Sequence, residues 1–185
     1  QNEGFSLGDV AILYRTNAQS RIFEENLIKN GLSYVMVGSL KFYDRKEIKD
    51  ILAYLRLLYN HRDMQALNRI INVPKRGIGA ATVLKLTDIL AAQGCSLFEL
   101  GKLPDGLADL GRAGNKIADF IKLMEKLQEK VDVVPLPDLI QAVIDETDYL
   151  AANEDDDENR NQSRQQNLEE LGRIAQEFMA DENEE

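Results

Sequence analysis

The stretch Asn72-Val73-Pro74-Lys75-Arg76-Gly77-Ile78-Gly79-Ala80-Ala81-Thr82 lies between two segments whose apolar residues recur at helical spacing, and its reading decides the fold. Pro74 disfavours helix at Val73 and so ends the helix before it. Gly77 and Gly79 permit backbone angles, and a close backbone approach, that a Cβ would obstruct. The helix restarting at Ala80 then turns its unpaired first-turn N–H groups, and the positive end of its dipole, back over the turn, where an anion fits. Ile78 is expected to face inward and pin the two helices together. Lys75, Arg76 and the Thr82 hydroxyl are placed to reach neighbouring phosphates. That is the pattern of a helix-hairpin-helix, which holds duplex DNA without reading its sequence. Gly-x-Gly alone is also an ordinary tight helix connection, so the signal depends on the Lys-Arg pair before it and the small residues after it.

The patterning on both sides is helical. Ile48, Ile51, Leu52, Leu55 and Leu58 make one apolar stripe upstream, with Arg45, Lys46 and Lys49 near its start. Shorter helices are expected over 64–71 and 80–92, the second closed by Gly94. Ile117, Phe120, Ile121, Met124 and Leu127 repeat the stripe, Pro135-Leu136-Pro137 opens another helix through Ile144, and Leu168, Leu171, Ile174 and Phe178 predict a last one. The fold class is mainly α, with a helical domain over residues 41–185. Within it, residues 153–166 hold Glu154-Asp155-Asp156-Asp157-Glu158 and no apolar residue, and read as a solvated acidic loop.

The first forty residues read differently. Asp9-Val10-Ala11-Ile12-Leu13-Tyr14 is a short apolar run suited to a strand buried on both faces, and residues 34–37 read as a second strand. Between them Ile22, Phe23, Leu27 and Ile28 recur at helical spacing up to Asn30-Gly31. Two strands and a helix do not make a stable domain, so residues 1–40 are expected to be a β-α-β piece of a larger parallel sheet. Arg15 and Asn17 stand at the carboxyl end of the first strand, where open α/β sheets carry ligand groups. The alternative is that Asn17 or Ser20 caps the following helix and Arg15 is solvated.

Composition sets the outer limits. A hydrophobic content of 44% over 185 residues is enough for a core, and the single cysteine, Cys95, excludes an intrachain disulfide and suits a reducing cytosol. No apolar run approaches a membrane span and the first residues lack the order of a signal peptide, so the expectation is a cytoplasmic protein without a membrane partner. The net charge of −10 is lopsided. Residues 150–185 hold 12 acids against 3 bases, whereas residues 41–85 hold 10 bases against 4 acids. Screening confines each charge to about 8–10 Å, so a cationic patch around the glycine turn would attract a polyanion despite the total.

Other chemistry finds little support. The acidic run lacks the glycine and spacing of a calcium loop, and no metal site is expected. His61 has no partner at ligand spacing, and Cys95 has no nearby His to activate it. The Phe42-Tyr43 pair reads as packing at the junction rather than as a base-stacking platform. No phosphate loop of the Gly-x4-Gly-Lys-Ser/Thr type and no catalytic constellation occurs, so no catalytic residue is assigned.

Three blocks then carry a family likeness. Gly8-Asp9-Val10-Ala11-Ile12-Leu13-Tyr14-Arg15-Thr16-Asn17-Ala18-Gln19-Ser20-Arg21, the block from Lys41 to Arg56 (Lys-Phe-Tyr-Asp-Arg-Lys-Glu-Ile-Lys-Asp-Ile-Leu-Ala-Tyr-Leu-Arg), and the glycine turn itself resemble, in order and spacing, consecutive blocks of UvrD/Rep/PcrA-type superfamily 1 DNA helicases, most nearly the PcrA branch of Gram-positive bacteria. The likeness runs over essentially the whole chain and is strongest through about residue 90. It implies a bacterial 3′-to-5′ DNA helicase of repair and replication, driven by ATP and Mg2+, with two RecA-like motor domains that each carry a helical insertion. Residues 1–40 then correspond to part of the second motor domain, 2A, and residues 41–185 to its 2B insertion. By that likeness Arg15, Asn17 and Arg21 touch single-stranded DNA, while Lys75, Arg76, Gly77, Ile78, Gly79 and Thr82 grip the duplex. The ATP-site motifs match nothing here, so the expectation is neither cofactor nor ATPase activity in these residues, with DNA and the remaining helicase domains as partners. The alternative role is a regulatory subdomain that binds regulatory proteins, for which the acidic loop and the last amphipathic helix are suited.

Overall fold

The computed structural model describes residues 6–154 and 157–182, and among them the regular structure is helical throughout. In chain order the helices are α1 (Ser20–Lys29), α2 (Lys46–Tyr59), α3 (Met64–Ile70), α4 (Ala80–Gln93), α5 (Leu97–Gly101), α6 (Arg112–Gln128), α7 (Leu136–Glu146), α8 (Tyr149–Ala152) and α9 (Glu158–Glu182). Short 3-10 turns precede α1, α2 and α6.

Helix α2 is the centre of the body, packed by α3, α6, α7 and α9. Its sequence explains why. Ile48, Ile51, Tyr54, Leu57 and Leu58 are buried, with Leu52 and Leu55 half-buried at the edges, so the apolar stripe is wide enough for several partners. Each such Leu or Ile removed from water contributes roughly 1.5–3 kcal/mol. Ile117, Phe120, Ile121, Met124 and Leu127 of α6 supply the opposing face, as their spacing predicts. The helix ends follow local chemistry: the Asp63 carboxylate accepts from the Ala66 amide at the start of α3, and Gly94 closes α4 in the left-handed region at φ 62°.

One polar cluster sits inside this body. Asp50 is buried and accepts from the Tyr149 hydroxyl at 2.6 Å, while Lys46 and Arg69 pair with its two oxygens at 2.7 and 2.8 Å. Burial first, and then the hydrogen bond to the Asp50 carboxylate, pushes the Tyr149 hydroxyl far above its ordinary pKa. The cluster ties α2, α3 and α8 together.

Two sequence expectations change. Neither the 9–14 nor the 34–37 segment is a strand; among the described residues no sheet forms, and Val10, Leu13, Val35 and Val37 are exposed. A strand needs a neighbouring edge for its backbone groups, and among the described residues the hydrogen bonding between the first segment and residues 34–39 is confined to the Tyr14 hydroxyl, near Met36 and Ser39. The acidic segment is also shorter as a loop than 153–166, because α9 already begins at Glu158. Asn, Gln, Glu and Arg between 158 and 167 include good helix formers, so absence of apolar residues did not mean absence of helix. Asp155 and Asp156 lie outside the described residues.

Candidate nucleic-acid interface

The corner between α3 and α4 is built around Asn72. Its side-chain oxygen accepts from the Arg76 amide at 2.8 Å and the Ile78 amide at 3.1 Å, which folds residues 72–78 into a compact loop. Ile78 is buried in the core, as expected of the residue that pins the two helices. Gly77 has φ 69°, a conformation L side chains rarely adopt, so this glycine is demanded by the backbone. Gly79 is different. Its φ is −77°, and a Cβ built on it would meet nothing within 4 Å. Gly79 is the N-cap of α4, where glycine is modestly favoured over alanine, but neither its backbone angles nor its packing demand a glycine.

Four backbone amides remain open at this corner. Among the described residues no protein group accepts from the N–H of Gly77, Gly79, Ala80 or Ala81, and all four residues are exposed. The first backbone bonds of α4 run instead from Thr82 and Val83 to the Gly79 carbonyl, at 3.0 and 3.1 Å. The helix start therefore presents donors outward, with Thr82 half-exposed in the first turn.

The two adjacent cations part company. Lys75 is exposed and has no partner among the described residues. Arg76 turns inward: its guanidinium donates to the Ile70 carbonyl at 3.1 Å, the Pro74 carbonyl at 3.2 Å and the Tyr54 hydroxyl at 2.7 Å, and lies 5.1 Å from the Phe120 ring centre. Burial pushes the Tyr54 hydroxyl up in pKa, and Arg76 opposes that shift. Arg76 thus braces the corner from behind. Much of the cationic surplus over residues 41–85 is also matched by acids of the protein, in the surface pairs Lys49–Asp44, Arg56–Asp63 and Arg62–Glu99 and in the Asp50 cluster. What the sequence did not show is Lys116 of α6, whose Nζ donates to the Gly77 carbonyl at 2.9 Å. It lies 39 residues away, so no local pattern announces the contact.

The single-strand candidates are separated in a similar way. Arg15 and Asn17 are exposed, and among the described residues the Asn17 side chain reaches only the Ser163 hydroxyl, at 3.3 Å. Neither Asn17 nor Ser20 caps α1. The Gln19 side chain takes the Arg15 and Thr16 amides, and Ser20 is buried against Glu24 and Arg45. Arg21 is buried and engaged by Glu170 at 2.6 Å, Glu177 at 3.0 Å and Glu25 at 3.1 Å. Burial works against its charge, and the hydrogen bonds to Glu170, Glu177 and Glu25 outweigh it, so its pKa rises. Arg45 joins α2 to the same region through Asn167 at 2.8 Å and Ser20 at 2.7 Å. Phe42 is fully buried at this junction, with Tyr43 edge-on to it, which is the packing role expected of the pair.

His61 and Cys95 form no reactive pair. The His61 ring lies 4.2 Å from that of Phe98 and bonds Gln128 at 2.9 Å, lining an open cavity of about 610 Å³ with Tyr59 and Glu125. Among the described residues no group of His, Cys, Asp or Glu is arranged to hold a metal ion, and no helix is long and apolar enough to cross a membrane.

The family described as UvrD-like helicase C-terminal domain matches residues 1–185. The chain is 42% identical over 172 residues to the ATP-dependent DNA helicase PcrA of Bacillus subtilis, a match covering 93% of this chain and 23% of that protein. It is 35% identical over 178 residues to the ATP-dependent DNA helicase PcrA of Staphylococcus aureus, covering 96% and 24%. The chain thus spans about a quarter of the length of these relatives.

Proposed function

The chain belongs to the UvrD-like helicase C-terminal domain family, and we propose that it is the part of a PcrA-type, ATP-driven 3′-to-5′ DNA helicase that grips the duplex ahead of the unwinding fork. The observation that carries this reading is Gly79. An exposed glycine with ordinary backbone angles and empty space at its Cβ position, beside four open amides, suits a surface that another backbone must approach closely. The ligand is a phosphate of duplex DNA, bound by the amides of residues 79–81 with Thr82 and Lys75 beside them. Gly77, Ile78 and Arg76 shape the corner from within. Contacts of this kind position a duplex and carry no sequence information.

In the same reading Arg15 and Asn17 meet the single strand, and Arg21 holds their segment against α9. The exposed Val10, Leu13, Val35 and Val37 are the surface on which the remaining helicase domains pack, residues 1–40 corresponding to part of the 2A motor domain. Residues 41–185 correspond to the 2B insertion. ATP and Mg2+ belong to parts of the helicase that these residues do not contribute, so this chain is expected to hydrolyse no ATP when DNA is added.

The test uses two glycines. Fluorescence anisotropy with a labelled duplex of arbitrary sequence should show weak binding that falls with salt, with a shallow log-log slope of about −0.9 for each phosphate that a cation neutralises. Gly79→Ala should weaken it by about tenfold, the equivalent of one charge-assisted hydrogen bond, with at most a small loss of Tm, since alanine is the weaker N-cap of α4. Gly77→Ala should lower Tm as well, because its backbone conformation is strained for alanine. Duplex binding that Gly79→Ala leaves untouched, or that ignores salt, overturns the reading.

A further inference from the structure

We infer that Lys116 and Arg112 of α6 are phosphate ligands of the same interface, so that the duplex is held by two helices distant in sequence rather than by the glycine corner alone. This rests on the duplex-gripping reading above. The Lys116 ammonium donates to the Gly77 carbonyl at 2.9 Å, and a Cβ built on Gly77 would stand 2.4 Å from the same nitrogen, so the charge is seated on the corner itself. An ammonium carries three donors, and Gly77 accepts one. Lys116 is exposed, and among the described residues no carboxylate pairs with it; Asp119, the acid nearest in sequence along α6, pairs with Lys122 at 3.6 Å. Two donors are therefore left for an anion lying over residues 77–81.

Arg112 extends the same line. It stands four residues before Lys116, hence on the same face of α6 one turn earlier, is exposed, and has no partner among the described residues. The start of α6 is held beside α4 by a separate contact: Lys85 of α4 donates to the Asp109 carbonyl in the 3-10 turn that leads into α6. The arrangement also accounts for the charge at the corner. With Arg76 turned inward, Lys75 is the sole cation that the 72–82 stretch itself offers outward, and α6 supplies the rest across a gap of 39 residues.

The test is a salt series of duplex binding by the full 185-residue chain, read by anisotropy beside thermal melts. Each phosphate contact contributes about 0.9 to the log-log slope, so Arg112→Gln should make it shallower by about 0.9 and the Arg112→Gln, Lys116→Gln double variant by about 1.8. Lys116→Arg should keep the slope of the parent chain. Because Lys116→Gln also removes a hydrogen bond from the corner, Arg112→Gln, which touches nothing there, is the independent arm. If Gly79→Ala weakens binding while both Gln variants keep the parent slope, α6 is not part of the interface and the corner stands without it. If the Gln variants flatten the slope and Gly79→Ala does nothing, α6 binds and the corner reading falls. A parent chain that binds no duplex overturns both.

Discussion

Leu57 in α2 and Leu13 ahead of α1 are the same residue type in equally apolar stretches, yet one is 0% exposed and the other 93%. The contrast holds for their neighbourhoods. In the helical body the apolar stripes of α2, α6 and α7 close on one another, and no buried side-chain polar atom among the described residues lacks a partner. In residues 7–40 the aliphatic residues Val10, Ile12, Leu13, Val35 and Val37 of the expected strands stay on the surface. The reason is in the backbone. A helix satisfies its amides and carbonyls internally and needs only a neighbour for its stripe, whereas a strand needs an edge to pair with before its side chains have a face to bury. Apolar patterning therefore specifies an element only where the chain also supplies the partner.

The largest expected effect breaks or keeps that contrast directly. Leu57→Ala should cost about 2–5 kcal/mol in urea unfolding, since the cavity opens in the middle of the body. Leu13→Ala should stay within about 0.5 kcal/mol. Equal losses would mean that residues 7–40 belong to the same packed core, contrary to the exposure seen here.

A smaller effect is expected at the joint between the two regions. Arg21 fixes α1 to α9 through the buried Glu170 and the more exposed Glu177, while its pair with Glu25 stays within α1. Arg21→Ala should cost about 1–3 kcal/mol, the range for leaving a buried polar group short of a partner. The loss stays below that of an isolated buried charge because Arg173 still pairs with Glu170. Native-state hydrogen exchange should then quicken in α1 while α2 stays protected. Exchange that quickens equally in both helices would show one cooperative unit where the exposure pattern indicates two.

Most of the body was legible in the sequence because periodicity, caps and breakers are local. The stripes of α2 and α6, the stop at Gly94 and the inward Ile78 all follow from spacing and turn chemistry. The first forty residues were not, because their strand signal presupposes partners that no residue in these segments provides. At the interface the glycine corner could be read, but the directions of its cations could not. Arg76 next to Lys75 looks like a second phosphate ligand until Tyr54 and Phe120, distant in sequence, are seen to hold it, and Arg21 beside Asn17 looks exposed until Glu170 and Glu177 are placed. Lys116 was invisible for the same reason. Apolar spacing marks only 168–178 of α9, and its first turns, 158–167, are helical by propensity without a stripe.

The smallest effect separates the two regions by pH. The Ala66 amide holds the Asp63 carboxyl below its ordinary range, against the cost of burial and with the Arg56 guanidinium assisting. Asp9 is held low as well, first by the Ser6 hydroxyl and then by the Ser6 amide, but its 3-10 turn buries no residue. A carboxyl with a depressed folded pKa contributes stability that is fully present above the unfolded value, near 4, and is lost as pH falls through the folded one. Asp63→Ala should therefore cost about 1 kcal/mol at pH 7, as an N-cap does, and the gap from the parent chain should narrow below about pH 4. Asp9→Ala should leave the urea midpoint unchanged at either pH, because protonating a carboxyl on a turn outside the cooperative body frees nothing the body depends on. A midpoint that shifts with Asp9→Ala as it does with Asp63→Ala would place the first turn inside the body and remove the distinction between the two regions.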